Sequence, residues 1–275
     1  MNNIFVYCEI EDGHIIDVSL ELLTKGRKLA NDLKCQLEAI VIGSKLDEIG
    51  KQVFPYGVDV MHIADDNRLY PYTTLPHAQI VSHVFEKEKP QIALFGATSI
   101  GRDLAPRVAS KLKCGLTADC TSLEIGEHYD KKTKTQYDNL LYQIRPAFGG
   151  NILATIINPD TRPQMATVRE GVMKKEILNN DFTGKTKNVD LGKILTDTDF
   201  VVKIIERHIE KQKINIKNAP IIISGGYGVG SRENFNLLFE LAEAQPGKTA
   251  RLRAAVDAGY ITHEVLVKRK GEKWF

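Results

Sequence analysis

The sequence predicts an α/β fold: a mostly parallel sheet covered by helices, followed by the start of a second α/β unit. Three observations carry this. Short apolar runs alternate with amphipathic stretches from Ile4 through Ala109, the rhythm of strands joined by crossover helices. A strand, a glycine cluster and an amphipathic stretch begin again at Pro220. Between them, the polar stretch 211–218 keeps neither period and reads as a boundary. We therefore expect a first domain at 1–211, a linker at 212–218 and a second domain at 219–275. A length of 275 residues agrees with about two domains.

In order, Ile4-Phe-Val-Tyr-Cys8 is a strand, and residues 17–34 carry Leu20, Leu23, Arg27, Ala30 and Leu33 as a helical stripe. Residues 37–42 form the next strand, 46–54 a short helix, 58–63 a strand, 76–88 a helix and 92–95 a strand. Continuous apolar strands of this kind belong to sheets covered on both faces. The segment Gly96-Ala-Thr-Ser-Ile-Gly101-Arg-Asp then opens a helix that Thr98 or Ser99 can cap, with Gly101 permitting close approach. Ligands often sit at the carboxyl end of such a strand, but a capped helix packed on its sheet is the simpler reading. Residues 140–145, 151–157 and 165–168 are short strands interrupted by Pro146, Gly149, Gly150 and Pro159, and read as hairpin or edge strands finishing the sheet. Lys131, Lys132 and Lys134, flanked by Asp130 and Asp138, read as a solvated hairpin tip. The stretch 179–198 is polar and without period, and 200–205 reads as one more strand returning to the first sheet.

Composition excludes several classes. A net charge of +2 gives no field that would favour nucleic acid or a membrane surface. No apolar run is long enough to span a bilayer, and the chain enters a strand directly from its first residues, so a cytoplasmic location is expected. Cys8, Cys35, Cys114 and Cys120 have no metal spacing and fit a reducing compartment. The seven histidines are scattered, and neither a triad nor a general base stands in a motif.

The most informative stretch is Ser224-Gly-Gly226-Tyr-Gly228-Val-Gly230-Ser231, between the apolar run Pro220-Ile-Ile-Ile and a stripe of Phe235, Leu238, Phe239 and Ala242. Glycines let backbone approach a ligand, and the N-terminus of the following helix attracts phosphate. Further on stands Arg253-Ala254-Ala-Val-Asp257-Ala-Gly259-Tyr260. The pair of segments resembles the flavin domain of electron transfer flavoprotein alpha subunits. Arg145-Pro-Ala-Phe-Gly-Gly-Asn151 and Arg162-Pro-Gln-Met-Ala-Thr-Val-Arg169 resemble the same family, and the likeness runs to about Tyr260.

That resemblance implies a nucleotide-binding-like first domain, a flavin-binding second domain, and FAD as cofactor. It implies that Arg253 lies against the isoalloxazine ring, where a guanidinium favours the reduced, anionic flavin. Gly226, Gly228, Leu252, Ala254 and Asp257 complete the expected cofactor contacts. Tyr227 and Leu252 depart from the family's Arg and Ser, so a flavin-contacting hydroxyl is missing at Leu252. Asp257 is read as a local cap or ion-pair partner. The resemblance further implies a heterodimer with a beta subunit that holds AMP, the first domain's own pocket being without nucleotide. It implies electrons taken from a flavin dehydrogenase of the acyl-CoA dehydrogenase type, as in fatty acid beta-oxidation, and an electron carrier rather than an enzyme.

After Tyr260 the family's later flavin-domain segments are not found, and a Lys- and Arg-rich tail (Lys268, Arg269, Lys270, Lys273) stands instead. A C-terminally truncated or frame-shifted flavin domain is therefore expected. An assembly-competent remnant that does not hold FAD firmly is the alternative. An ATP-dependent enzyme of the pyrophosphatase-loop type is disfavoured, because Gly228 stands where that loop needs an acidic residue. A dinucleotide dehydrogenase is disfavoured too, because no acidic residue ends a second strand at the required distance.

Overall fold

The computed structural model describes residues 3–147, 152–207, 222–225, 227–244 and 248–251. The chain divides into two compact units, Met1–Ile204 and Ile205–Phe275.

The first unit is built on a seven-stranded, all-parallel sheet. Its first strand, β1 (Ile4–Cys8), is followed by a small hairpin of β2 (Ile10–Glu11) and β3 (His14–Ile15), and by α1 (Asp17–Leu33). Then come β4 (Leu37–Gly43), α2 (Gly50–Val53), β5 (Val60–Asp65), α3 (Thr74–Glu88), β6 (Ile92–Gly96) and α4 (Ser99–Leu112). The next strands are β7 (Leu116–Cys120), β8 (Ser122–Asp130), β9 (Thr135–Pro146), β10 (Leu153–Ile156), β11 (Gln164–Val168) and β12 (Lys185–Asn188). The order across the large sheet is β12-β5-β4-β1-β6-β11-β7, and β10-β9-β8 form a separate antiparallel sheet.

β1, β4 and β6 are buried along their whole lengths because both faces are covered. One face packs Leu22, Leu23, Leu29 and Leu33 of α1 against Val6, Ala39 and Leu94. The other packs Ile80, Val84 and Phe85 of α3 and Leu104 and Val108 of α4 against Phe5, Ile40 and Phe95. The buried polar pair of Glu38 and His62, 2.5 Å apart, lies within this core. Burial alone would raise the Glu38 carboxyl, but hydrogen bonds from His62 and Asn3 hold it below its usual range. Arg27 of α1 ties the amino ends of the strands together: it donates to Asp59 at 2.8 Å, to the Gly57 carbonyl at 3.1 Å and to the Cys35 carbonyl at 3.2 Å.

Three expectations are corrected. Residues 165–168 belong not to an edge but to β11, which lies between β6 and β7 inside the large sheet. Residues 140–146 and 153–156 do not finish that sheet; with β8 they make the antiparallel one. Residues 201–205 form no strand, and Val201, Val202 and Ile205 are exposed. The place beside β5 is taken instead by β12, from the polar stretch read as without period. The lysine turn at 131–134 is a hairpin tip, closed by Asp130 accepting from the Lys132 N–H at 2.8 Å.

After β11 the chain wraps the sheet. The Gly171 and Met173 N–H groups donate to the Glu21 carboxylate, and the Glu176 N–H to the Thr24 hydroxyl. The Leu178 N–H reaches the Pro55 carbonyl at 2.9 Å. Beyond β12, Val189, Leu191, Ile194, Leu195 and Phe200 pack on the opposite, α3 and α4, face. The Arg68 guanidinium stands 4.4 Å from the centre of the Phe200 ring.

In the second unit, β13 (Ile222–Gly225) leads through a single helical turn at Tyr227–Val229 to α5 (Phe235–Ala244) and then to β14 (Lys248–Arg251), which pairs parallel with β13. This is the right order for a βαβ crossover.

Candidate functional site

The glycine loop stands at the carboxyl end of β13, where the sequence places a ligand. Gly225 is buried, and a Cβ there would meet Leu238 Cδ1 at 2.2 Å and Phe235 Cε1 at 3.0 Å. The missing side chain therefore lets α5 lie directly on the strand, with Phe235 as the buried anchor. Gly228 is exposed, with nothing within 4 Å of where a Cβ would be, so a ligand can approach the backbone there. Gly230 has φ +84°, a conformation that side chains disfavour.

The loop is locked from the helix side. The Asn234 side-chain amide donates to the Val229 carbonyl at 2.8 Å, and its backbone N–H donates to Ser231 Oγ at 3.3 Å. Ser231 thus caps the turn that opens α5, three residues before Asn234. The Phe235, Asn236 and Leu237 N–H groups are taken by the Arg232, Glu233 and Asn234 carbonyls. The Glu233 carboxylate is held below its usual range by its own N–H and the Ser231 hydroxyl.

Of the expected cofactor residues, Gly228 is placed in the exposed turn of this loop. Gly226, Leu252, Arg253, Ala254 and Asp257 lie outside the described residues. Asn234 was not singled out from the sequence. Its signal was the Ser231-x-x-Asn234 spacing before the apolar stripe.

The large sheet has its own crevice between β1 and β6, where the strand order reverses. Here the chain fills it. Thr98 Oγ1 donates to Glu9 Oε2 at 2.6 Å and accepts from the Gly101 N–H at 2.9 Å, so Thr98 is the cap of α4. The Glu9 N–H is bound to Ser19 Oγ at 3.0 Å. Burial raises the Glu9 carboxyl above its ordinary range, with the Thr98 hydrogen bond opposing. Val18 lies against Gly96, where a Cβ would come within 2.8 Å of it. A Cβ on Gly101 would fall 1.9 Å from the Gly96 carbonyl oxygen. The two glycines are there to bring helix and strand together, and the packed-helix reading of this segment fits the geometry.

The family-like Arg162 and Arg169 are exposed, and each is held by partners within the chain. Arg169 and Arg102 both pair with Asp119, at 2.7 and 3.2 Å. Arg162 folds back on the carbonyls of Asn158, Pro159 and Thr161 and on Gln91. A cavity of about 770 Å³ opens beside β5 and β12, with Phe54, Met61, Ile63, Phe182, Thr186 and Asn188 on its walls. Its Asp65 carboxylate is engaged by the Lys45 and Leu46 N–H groups. Among the described residues, no group of three His, Cys, Asp or Glu could hold a metal ion, and no helix is long and apolar enough to cross a membrane.

Residues 4–193 match the family model described as "Electron transfer flavoprotein domain", and residues 215–274 match that described as "Electron transfer flavoprotein FAD-binding domain". The "Electron transfer flavoprotein subunit alpha" of Thermoanaerobacterium thermosaccharolyticum is 41% identical over 98% of this chain and 78% of its own length. "Protein FixB" of Clostridium saccharobutylicum is 42% identical over 98% of this chain and 77% of its own. The "Acryloyl-CoA reductase electron transfer subunit beta" of Anaerotignum propionicum is 37% identical over 98% and 78%.

Proposed function

This chain belongs to the electron transfer flavoprotein alpha family, and from that premise we propose that it carries FAD as one half of a heterodimer. It is an electron carrier rather than an enzyme with its own substrate. In this reading the first domain (1–211) assembles with a beta subunit, and the second (219–275, after a linker at 212–218) holds the flavin. Electrons arrive from a flavin dehydrogenase and leave to a redox partner. An acyl-CoA dehydrogenase-type donor is the favoured partner; the relative named as the electron transfer subunit of an acryloyl-CoA reductase ties such a subunit to acyl-CoA redox chemistry, there in the reducing direction.

The observation that carries the reading is the parallel βαβ unit whose glycine loop is exposed at Gly228, inside the segment matched to the FAD-binding model. The residues fit such a cofactor: backbone is accessible, and the loop's shape is set from the helix side. Gly226 and Gly228 would let the cofactor meet backbone, with Leu252, Ala254 and Asp257 shaping the segment around Arg253. Arg253 would hold its guanidinium beside the ring system and favour negative charge there. Bound FAD supplies the electron-accepting chemistry; the chain binds it, orients it and tunes its charge. The filled crevice of the first unit, with Thr98 closed onto Glu9, supports an arrangement in which AMP belongs to the beta subunit.

The test is a visible absorption spectrum of the chain purified with its beta subunit, mixed with excess FAD and desalted. A retained flavin band is expected, and Arg253→Ala should weaken FAD binding about tenfold, the worth of one charged hydrogen bond. A colourless heterodimer would overturn the reading.

A further inference from the structure

We infer that Asn234 is a positioning residue for the cofactor: its amide occupies the Val229 carbonyl, so that this oxygen, beside the exposed Gly228, does not compete with an approaching anion. The inference rests on the FAD reading above.

The turn from Val229 to Asn234 passes through Gly230 at φ +84° and is closed at both levels by one residue. The Asn234 side chain donates to the carbonyl at one end, and its N–H donates to Ser231 Oγ in the middle. A carbonyl oxygen carries partial negative charge and would repel a phosphate or a reduced flavin. An N–H donated to it removes most of that repulsion without adding charge. Only a neutral donor of this reach can do so. Aspartate has the same shape as asparagine but donates nothing when ionised, and it adds a negative charge at the loop. Serine donates but is too short to span the turn. Asn234 is itself exposed and Val229 half-buried, so the bond contributes little to the core. Its effect falls on the shape and charge of the loop whose next glycine, Gly228, stands open.

The experiment uses the full chain co-purified with its beta subunit. FAD is titrated and followed by the change in flavin fluorescence, while the melting temperature of the FAD-free heterodimer is measured in parallel. Asn234→Asp should bind FAD about tenfold more weakly or worse, and Asn234→Ala about fivefold more weakly. Asn234→Gln, which keeps a neutral donor, should recover most of the affinity. The FAD-free melting temperature should be the same for all of them. Wild-type affinity in Asn234→Asp would overturn the inference. So would a loss in which Gln fares no better than Asp and the FAD-free melting temperature falls with it, since that is the mark of a merely structural residue. A wild-type heterodimer that takes up no FAD would be seen before any variant is made, and would overturn the cofactor reading together with this one.

Discussion

Gly101→Ala tests how tightly the first unit's crevice is closed. In an ordinary helix this change gains about 1 kcal/mol, because alanine loses less backbone freedom on folding. Here the new Cβ would sit 1.9 Å from the Gly96 carbonyl oxygen and 3.0 Å from its carbon, both backbone atoms that cannot rotate aside. Restoring ordinary contact means moving α4 away from β6 by roughly an ångström or more in an interior packed at crystal-like density. That movement loosens Leu104, Ala105 and Val108, all buried, and pulls Thr98 from the Gly101 N–H. Overpacking costs about 1–3 kcal/mol and a weakened cap about 1 more, against the gain of about 1. The net expectation is a loss of about 2 kcal/mol. Urea unfolding of the purified chain measures it, as a lower midpoint at unchanged slope. A variant as stable as the wild type, or more so, would show that helix and strand are not held at this distance and refute the packing argument.

Two further stability predictions concern buried polar groups. Burial lowers His77 to about 4, while the Thr73 carbonyl partly opposes. The folded ring therefore stays neutral where the unfolded one protonates, and its contribution is complete above pH 6.5 and lost as pH falls toward 4. At about 1.4 kcal/mol per pH unit, lowering the pH from about 6.5 to 5 should cost the wild type about 2 kcal/mol that His77→Gln does not lose. Parallel urea titrations check this, and equal slopes against pH would refute it. Arg27→Ala should cost about 2 kcal/mol, since it leaves Asp59 and two carbonyls without their shared donor. Arg27→Lys should recover less than half, because an ammonium cannot copy the fork; a lysine variant with the wild-type urea midpoint would sink that argument.

What could be read from the sequence follows from how each strand is buried. β1, β4 and β6 are covered on both faces, so their apolar runs are continuous and unmistakable. β11 is equally buried but reads Gln-Met-Ala-Thr-Val, and its Gln164 enters the core because its side chain accepts from the Leu141 N–H at 2.8 Å. No local pattern announces that partner. β12 reads Lys-Thr-Lys-Asn with every residue exposed, so it is a strand only by backbone pairing with β5. The apolar run Val201, Val202, Ile204 and Ile205 has the composition of a strand but pairs with none, and its side chains are exposed. The glycine loop was legible because its glycines stand between two strong periodic signals. The part Asn234 plays there was not, because it depends on which carbonyl its amide meets.

The wrapping of the sheet by residues 171–200 also bears on how the chain leaves the ribosome. Val60 of β5 waits for Lys185, and the α3 and α4 face waits for Phe200. Until those residues emerge, β5 presents an open row of backbone donors and acceptors, and part of each apolar face has no cover. The early strands can pair as they appear, but the nascent unit is sealed only when nearly all of it has been synthesised. During that interval β5 is an edge open to pairing with a neighbouring nascent chain.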